Sequence, residues 1–356
     1  MITSKMQATW TDDVADIAAR DLPWSKLSGS RVLVSGAGGF LGGYLARTLL
    51  GLHALGKVDV PVRVVGMVRD VARAQQRLID VIQNPHFALM PWDLNTIGVP
   101  DIGDCDYVLH AASQASPRFY GSDPTGTLLP NTIGTAALLE ALRRTKMTKG
   151  MLFVSSSEVY GAVEGEETLA EIDYGSVDPA TVRACYAESK RMGETMCMAW
   201  HQQYGIPTYI VRPFHTYGPG LQPNDGRVFA DFVFNVLRGE SIVMNSDGSA
   251  RRAFCYVSDA IAGFFSVLLK GNPAQPYNVA NPAGELSVME LAELLVSLYP
   301  EKGLVVNRRY APGGLEYLSS AYTRLIPDVT RLSSLGWSAN VNPATGFRRM
   351  IEAYQQ

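Results

Sequence analysis

Arg31-Val32-Leu33-Val34-Ser35-Gly36-Ala37-Gly38-Gly39-Phe40-Leu41-Gly42 is the stretch whose reading decides the fold. Its first five residues are β-rich and apolar, the pattern of a buried strand. Gly36, Gly39 and Gly42 follow with the spacing G-x-x-G-x-x-G, and residues 44–52 are apolar at helical spacing. Glycine lets the chain turn tightly and approach a pyrophosphate, while a helix start offers free N–H groups and the positive end of a dipole. The expectation is a dinucleotide site touched by Gly36, Gly39, Phe40, Leu41 and Gly42.

The same alternation continues outward. Strand-like runs fall at residues 62–68, 87–94, 107–111, 151–155 and 208–212, and helical ones at 132–144 and 183–204. This predicts an α/β fold with a Rossmann-type, doubly wound parallel sheet. From Pro213 on, proline and glycine cluster at 213–226 and 272–284, with helical stretches at 229–237, 259–269 and 288–298. They predict a smaller C-terminal α+β domain that binds substrate over the carboxyl ends of the strands. The expected boundaries are 28–212 with 254–277 for the NAD(P)-binding domain, and 213–253 with 278–356 for the substrate-binding domain. Residues 1–27 read as an extension in which Val14, Ile17 and Ala18 predict a short amphipathic helix that docks on or caps the rest.

Composition bounds the function. A net charge of −3 argues against bulk binding to nucleic acid or an anionic membrane. The four cysteines have neither zinc nor C-x-x-C spacing, so free thiols and no metal are expected. Asp12, Asp13 and Asp16 stand where a signal peptide would be apolar, and residues 260–269 are too short to span a bilayer. A cytoplasmic protein is expected.

Tyr186 and Lys190 lie four apart on a predicted helix and so share one face. A phenol is a poor base near neutrality, and a nearby ammonium favours its ionised form. The pair can then take a proton from a sugar hydroxyl during oxidation. About thirty residues earlier, Ser156 and Ser157 end a strand, where a hydroxyl can hold the reacting oxygen. Tyr160 reads as a packing aromatic. After the second strand, Arg69 suits a 2′-phosphate or stacks on adenine, and Asp70 falls one residue late for the ribose. These residues leave NAD against NADP open; NAD is the cofactor expected, with NADP not excluded. Asp93 reads equally as an adenine contact and as a turn residue.

Several motifs then follow in order: the glycine loop, His110-Ala111-Ala112-Ser113, Asn131-Thr132-Ile133-Gly134-Thr135, Ser155-Ser156-Ser157-Glu158-Val159-Tyr160-Gly161, Tyr186-Ala187-Glu188-Ser189-Lys190 and Arg212-Pro213-Phe214-His215-Thr216-Tyr217-Gly218-Pro219. Over residues 28–350 the chain resembles the nucleotide-sugar epimerase/dehydratase family of extended short-chain dehydrogenases/reductases. Within it, the resemblance is closest to UDP-glucuronic acid decarboxylases, through Gln114–Tyr120 (QASPRFY), the Arg183-Ala184-Cys185-Tyr186 run, Asn224-Asp225-Gly226-Arg227-Val228 and the segment 248–259.

The resemblance implies further roles. Leu94, Ala111, Ala112, Ser113, Asn131 and Pro213 would line the cofactor, with Asn131 fixing backbone and water. Ser116, Pro117, Arg183, His215, Arg227, Val228 and Arg252 would meet a UDP-linked sugar, Arg183 or Arg252 clamping a carboxylate or phosphate. His215 departs from the family's usual Asn. Sugar 4,6-dehydratases carry Asp-Glu where this chain has Ser157-Glu158, so the acid that protonates a departing hydroxyl is missing. The expected reaction is decarboxylation of a UDP-hexuronic acid through a transient 4-keto sugar, with Glu158 managing protons near C5. A 4-epimerase is the alternative; a 4,6-dehydratase or a non-catalytic dinucleotide sensor fits less well. Family members dimerise through two helices each, here 132–144 and 183–204, which implies a homodimer.

Overall fold

The computed structural model describes residues 2–145, 148–163, 168–223, 225–309 and 326–355. Its strands are β1 (Arg31–Ser35), β2 (Arg63–Val68), β3 (Phe87–Pro91), β4 (Tyr107–His110), β5 (Gly150–Val154), β6 (Thr208–Pro213), β7 (His215–Tyr217), β8 (Ile242–Met244), β9 (Arg251–Tyr256), β10 (Pro276–Val279), β11 (Glu285–Ser287) and β12 (Val306–Arg308). Seven of them form one sheet in the order β10-β6-β5-β4-β1-β2-β3. Every pairing in it is parallel. Residues of β4 and β5 are buried throughout, as a sheet covered on both faces requires.

The strand order reverses between β1 and β4, the switch point at which such sheets bind ligands. The ends of these two strands are tied together: Ser35 Oγ lies 2.7 Å from His110 Nδ1 and accepts the Ala112 N–H at 3.2 Å. Burial holds His110 neutral, its pKa pulled down to about 3.

The helix Val257–Lys270 is buried on nearly every face. Its apolar composition thus serves the core rather than a membrane. No helix among the described residues is long and apolar enough to cross a bilayer. Asp259, sealed within it, accepts the Arg20 guanidinium and the backbone N–H groups of Asn340 at 3.0 Å and Val341 at 2.8 Å. The short strands β7, β9 and β11 make a second sheet and β8 with β12 a third. All but the six-residue β9 are three residues long, too short to leave a period to read.

The extension forms the helix Ser4–Ala18, capped by the Thr3 side chain on the Met6 N–H. Met6, Trp10, Val14 and Ile17 face inward at helical spacing. All four cysteines are free thiols.

Candidate active site

The cofactor side is built from backbone. Gly36 adopts φ +69°, and a Cβ there would stand 2.7 Å from Ala112 Cα. At Gly42 a Cβ would stand 2.2 Å from the Gly36 carbonyl oxygen. Only glycine allows the loop, the helix Phe40–Gly51 and the end of β4 to close this tightly. Gly39 caps that helix without a side chain, leaving its first N–H groups for an anion. A cradle so shaped fits a dinucleotide pyrophosphate.

Arg69 is exposed just beyond β2. Asp70 caps the helix Val71–Arg77 through the Arg73 N–H at 2.9 Å. Asp93 accepts from the Asn95 N–H at 3.0 Å, so it builds its own turn. Leu94 packs under Gly134. Pro213 ends β6 in register with Val279.

The catalytic helix Cys185–Tyr204 starts at a short turn, Val182–Ala184. Tyr186 and Lys190 are both buried on its inner face. Lys190 Nζ donates to the Val154 carbonyl at 2.6 Å and lies 5.8 Å from the centre of the Tyr186 ring. The ammonium is thus fixed on the end of β5 rather than on the phenol. Burial raises the Tyr186 pKa to about 12; the neighbouring Ser156 and Ser113 hydroxyls and Arg227 pull it back, while Glu158 adds to it. Burial also lowers Lys190 to about 7, opposed by Glu194. Each group alone therefore favours its neutral form, and the phenolate becomes available when a cation neighbours it or its proton is handed on. Asn131 donates to the Thr127 carbonyl and to Ser189 Oγ, each at 3.0 Å, which ties a neighbouring helix to the catalytic one beside Lys190. Its Oδ1 is buried without a partner.

The sugar side is built from side chains of distant segments. Ser156 Oγ accepts the Glu158 N–H at 3.2 Å, and Ser157 opens the same turn. Glu158 and Arg183, assigned separate roles from the sequence, meet each other: one guanidinium nitrogen lies 3.2 and 3.0 Å from the two carboxylate oxygens. Arg183 also covers the Tyr120 ring at 4.8 Å, and Tyr120 stacks on Tyr186 with centroids 5.0 Å apart. Ser116 donates to the Asp225 carbonyl, next to Pro117, which caps the helix Arg118–Ser122. Asp225 in turn pairs with Arg227, whose neighbour Val228 begins the helix Val228–Arg238. Asn224 lies outside the described residues.

His215 on β7 has a buried Nδ1 without a partner. Its pKa falls to about 3, through burial first and then the Arg252 and Arg227 charges. Arg252 Nη1 donates to the Arg251 carbonyl at 2.6 Å. A neutral imidazole between two guanidinium groups is a donor-rich lining suited to phosphate oxygens.

The model of the NAD dependent epimerase/dehydratase family matches residues 32–280. The chain belongs to that family. It is 33% identical to UDP-glucuronic acid decarboxylase 3 of Arabidopsis thaliana over 328 residues, 91% of this chain and 89% of that protein. It is 32% identical to UDP-glucuronic acid decarboxylase 1 of Danio rerio over 332 residues, 92% of this chain and 73% of the other. Among solved structures, a UDP-glucuronic acid 4-epimerase from Bacillus cereus in complex with UDP-glucuronic acid and NAD superposes with a TM-score of 0.75 at 24% identity, covering 91% of this chain and 98% of the other. That likeness establishes the shared Rossmann fold. The chain is an NAD-dependent enzyme of this family.

Three features of this family member escaped sequence reasoning. Tyr120 stacks on the candidate catalytic Tyr186. Behind the catalytic helix, Glu194 accepts Arg212 through both oxygens, at 2.9 and 2.7 Å, and also Ser155 Oγ at 2.5 Å. Arg212 continues to the Tyr160 hydroxyl at 3.1 Å, which donates to Asn278 at 2.5 Å. The sequence did contain a signal: Glu194 stands four residues after Lys190, on the same stripe.

Proposed function

We propose that the chain decarboxylates a UDP-hexuronic acid, with UDP-glucuronic acid as the first candidate. The observation carrying this reading is Glu158, preceded by Ser157 rather than an acid, held by Arg183 and close enough for its charge to act on Tyr186, in a chain that matches UDP-glucuronic acid decarboxylases over nine-tenths of its length.

When bound, NAD supplies a reversible oxidation at the sugar's C4. Tyr186 takes the C4 hydroxyl proton and later returns it. Lys190 supports the phenolate from the end of β5, and Ser156 holds the C4 oxygen. A ketone at C4 places the sugar carboxylate β to a carbonyl, so CO₂ can leave as the electrons pass into an enolate. Glu158 moves the proton that C5 then needs. Arg227, Arg252 and His215 bind the diphosphate and carboxylate by charge and N–H donation.

The domain roles follow: residues 28–212 and 254–277 for NAD, 213–253 and 278–356 for the nucleotide sugar. A homodimer is proposed through the helices Ile133–Arg144 and Cys185–Tyr204, on which Met192 and Met198 are exposed. A cytoplasmic location accords with the free thiols.

The test is incubation of purified protein with UDP-glucuronic acid, followed by NMR and mass spectrometry. Release of CO₂ with a UDP-pentose is the expected result. A UDP-galacturonate product of unchanged mass would make the enzyme a 4-epimerase, and no turnover would reject this substrate.

A further inference from the structure

The helix Ser4–Ala18 lies before the matched family region and outside every role given above. It packs along the helix Phe40–Gly51, whose N-terminus forms the pyrophosphate cradle. The contact is specific on three successive turns. Asp13 accepts the Tyr44 hydroxyl at 2.7 Å, Trp10 covers the Arg47 guanidinium at 3.6 Å, and a Cβ at Gly51 would meet Val14 at 2.9 Å.

Arg47 is not a surface cation. It is buried, grips Asp80 with two nitrogens at 2.7 Å each, and donates to the Arg77 carbonyl at 2.8 Å. Arg77 reaches in turn to the Gly38 carbonyl at 3.0 Å, inside the glycine loop itself. An unbroken series of contacts therefore runs from Trp10 through Arg47 and Arg77 to the peptide between two cradle glycines.

We propose that the N-terminal helix is a positioning element of the cofactor site: Trp10 seats Arg47, Arg47 seats Arg77, and Arg77 holds the Gly38 carbonyl so that the loop N–H groups stay aimed at the pyrophosphate. The aromatic face stabilises a desolvated guanidinium, and the two-point Arg47–Asp80 fork fixes its plane. Losing one link loosens the loop without touching the sugar side.

The test measures NAD and UDP affinity by calorimetry in the full-length Trp10→Leu, Arg77→Met and double variants. Each single variant is expected to weaken NAD binding roughly three- to tenfold, with UDP affinity unchanged. The double variant should be no weaker than the worse single one, since both act through one path. Trp10→Phe and Arg77→Lys, which keep a ring face and a donor, should recover most of the loss. Unchanged NAD affinity in Arg77→Met, an additive double variant, or a parallel fall in UDP affinity overturns the proposal. So does a loss confined to Arg77, which would make that residue a direct ligand. If Trp10→Leu fails to fold, Arg77→Met and Arg77→Lys still decide. A wild-type chain that binds no NAD would instead refute the cofactor reading.

Discussion

At the mouth of the site, Glu158 meets Arg183 with side chains 33% and 30% exposed; behind the same catalytic helix, Glu194 meets Arg212, which is 2% exposed. The residue types are identical and the surroundings are not. Arg212 is fully committed, with Glu194, the Tyr160 hydroxyl and the Glu171 carbonyl at 3.0 Å around it. The Arg183 pair faces water on one side and Tyr120 on the other, so its partner can be exchanged for a ligand at small cost. A buried pair holds two strands and a helix in place, whereas a half-exposed one is free to trade.

The largest effect tests the front of the helix. Tyr186→Phe should lower kcat by about 10²- to 10⁴-fold, while leaving UDP affinity and urea stability near wild type. A stability loss as large as that at Arg212 would erase the distinction between the two faces. Next, Arg212→Met should destabilise by about 3 kcal/mol or more, because it leaves the Glu194 carboxylate unpaired in the interior. Urea titration measures this, and turnover per folded molecule should change little. Third, Glu158→Gln should cut kcat by roughly 10²-fold yet move stability by no more than about 1 kcal/mol. A large fall in stability would make the front pair structural like the rear one.

The smallest effect is on pH. Burial depresses the folded-state pKa of Lys190 to about 7, from an ordinary value of 10.5. Below pH 7 the lysine is charged in both states and the burial penalty is present in full. Between 7 and 10.5 the unfolded chain binds the extra proton, so stability rises with pH. Wild type should therefore gain stability from pH 7 to 9 relative to Lys190→Met, measured by urea titration at both values. Parallel profiles would remove the titration from Lys190.

Local signals in the sequence were read well. The strand, turn and helix around Gly36 were legible because they are contiguous, and Tyr186 with Lys190 share a face by spacing alone. Asp70 fell one residue late for the ribose, and its work as a helix cap accounts for that position. What stayed hidden was pairing across distance. Glu158 and Arg183 are 25 residues apart, and nothing along the chain says that they meet. Glu194 and Arg212 are joined only by the turn that brings β6 back beneath the catalytic helix. The extension read as a docking helix by its apolar spacing, but Trp10 over Arg47 needed coordinates.

The helix Ser4–Ala18 also meets the last helix, Pro343–Tyr354, where Thr3 Oγ1 donates to the Ala353 carbonyl at 2.7 Å. Asp13 likewise waits for the Tyr256 hydroxyl at 3.1 Å. The helix Ser4–Ala18 therefore leaves the ribosome long before the helix that completes its packing. Until residues 343–354 emerge, the side of this helix that meets them, where Thr3 reaches Ala353 and Asp16 reaches Arg349, stays uncovered. A nascent chain stalled before that point is the form most in need of a chaperone.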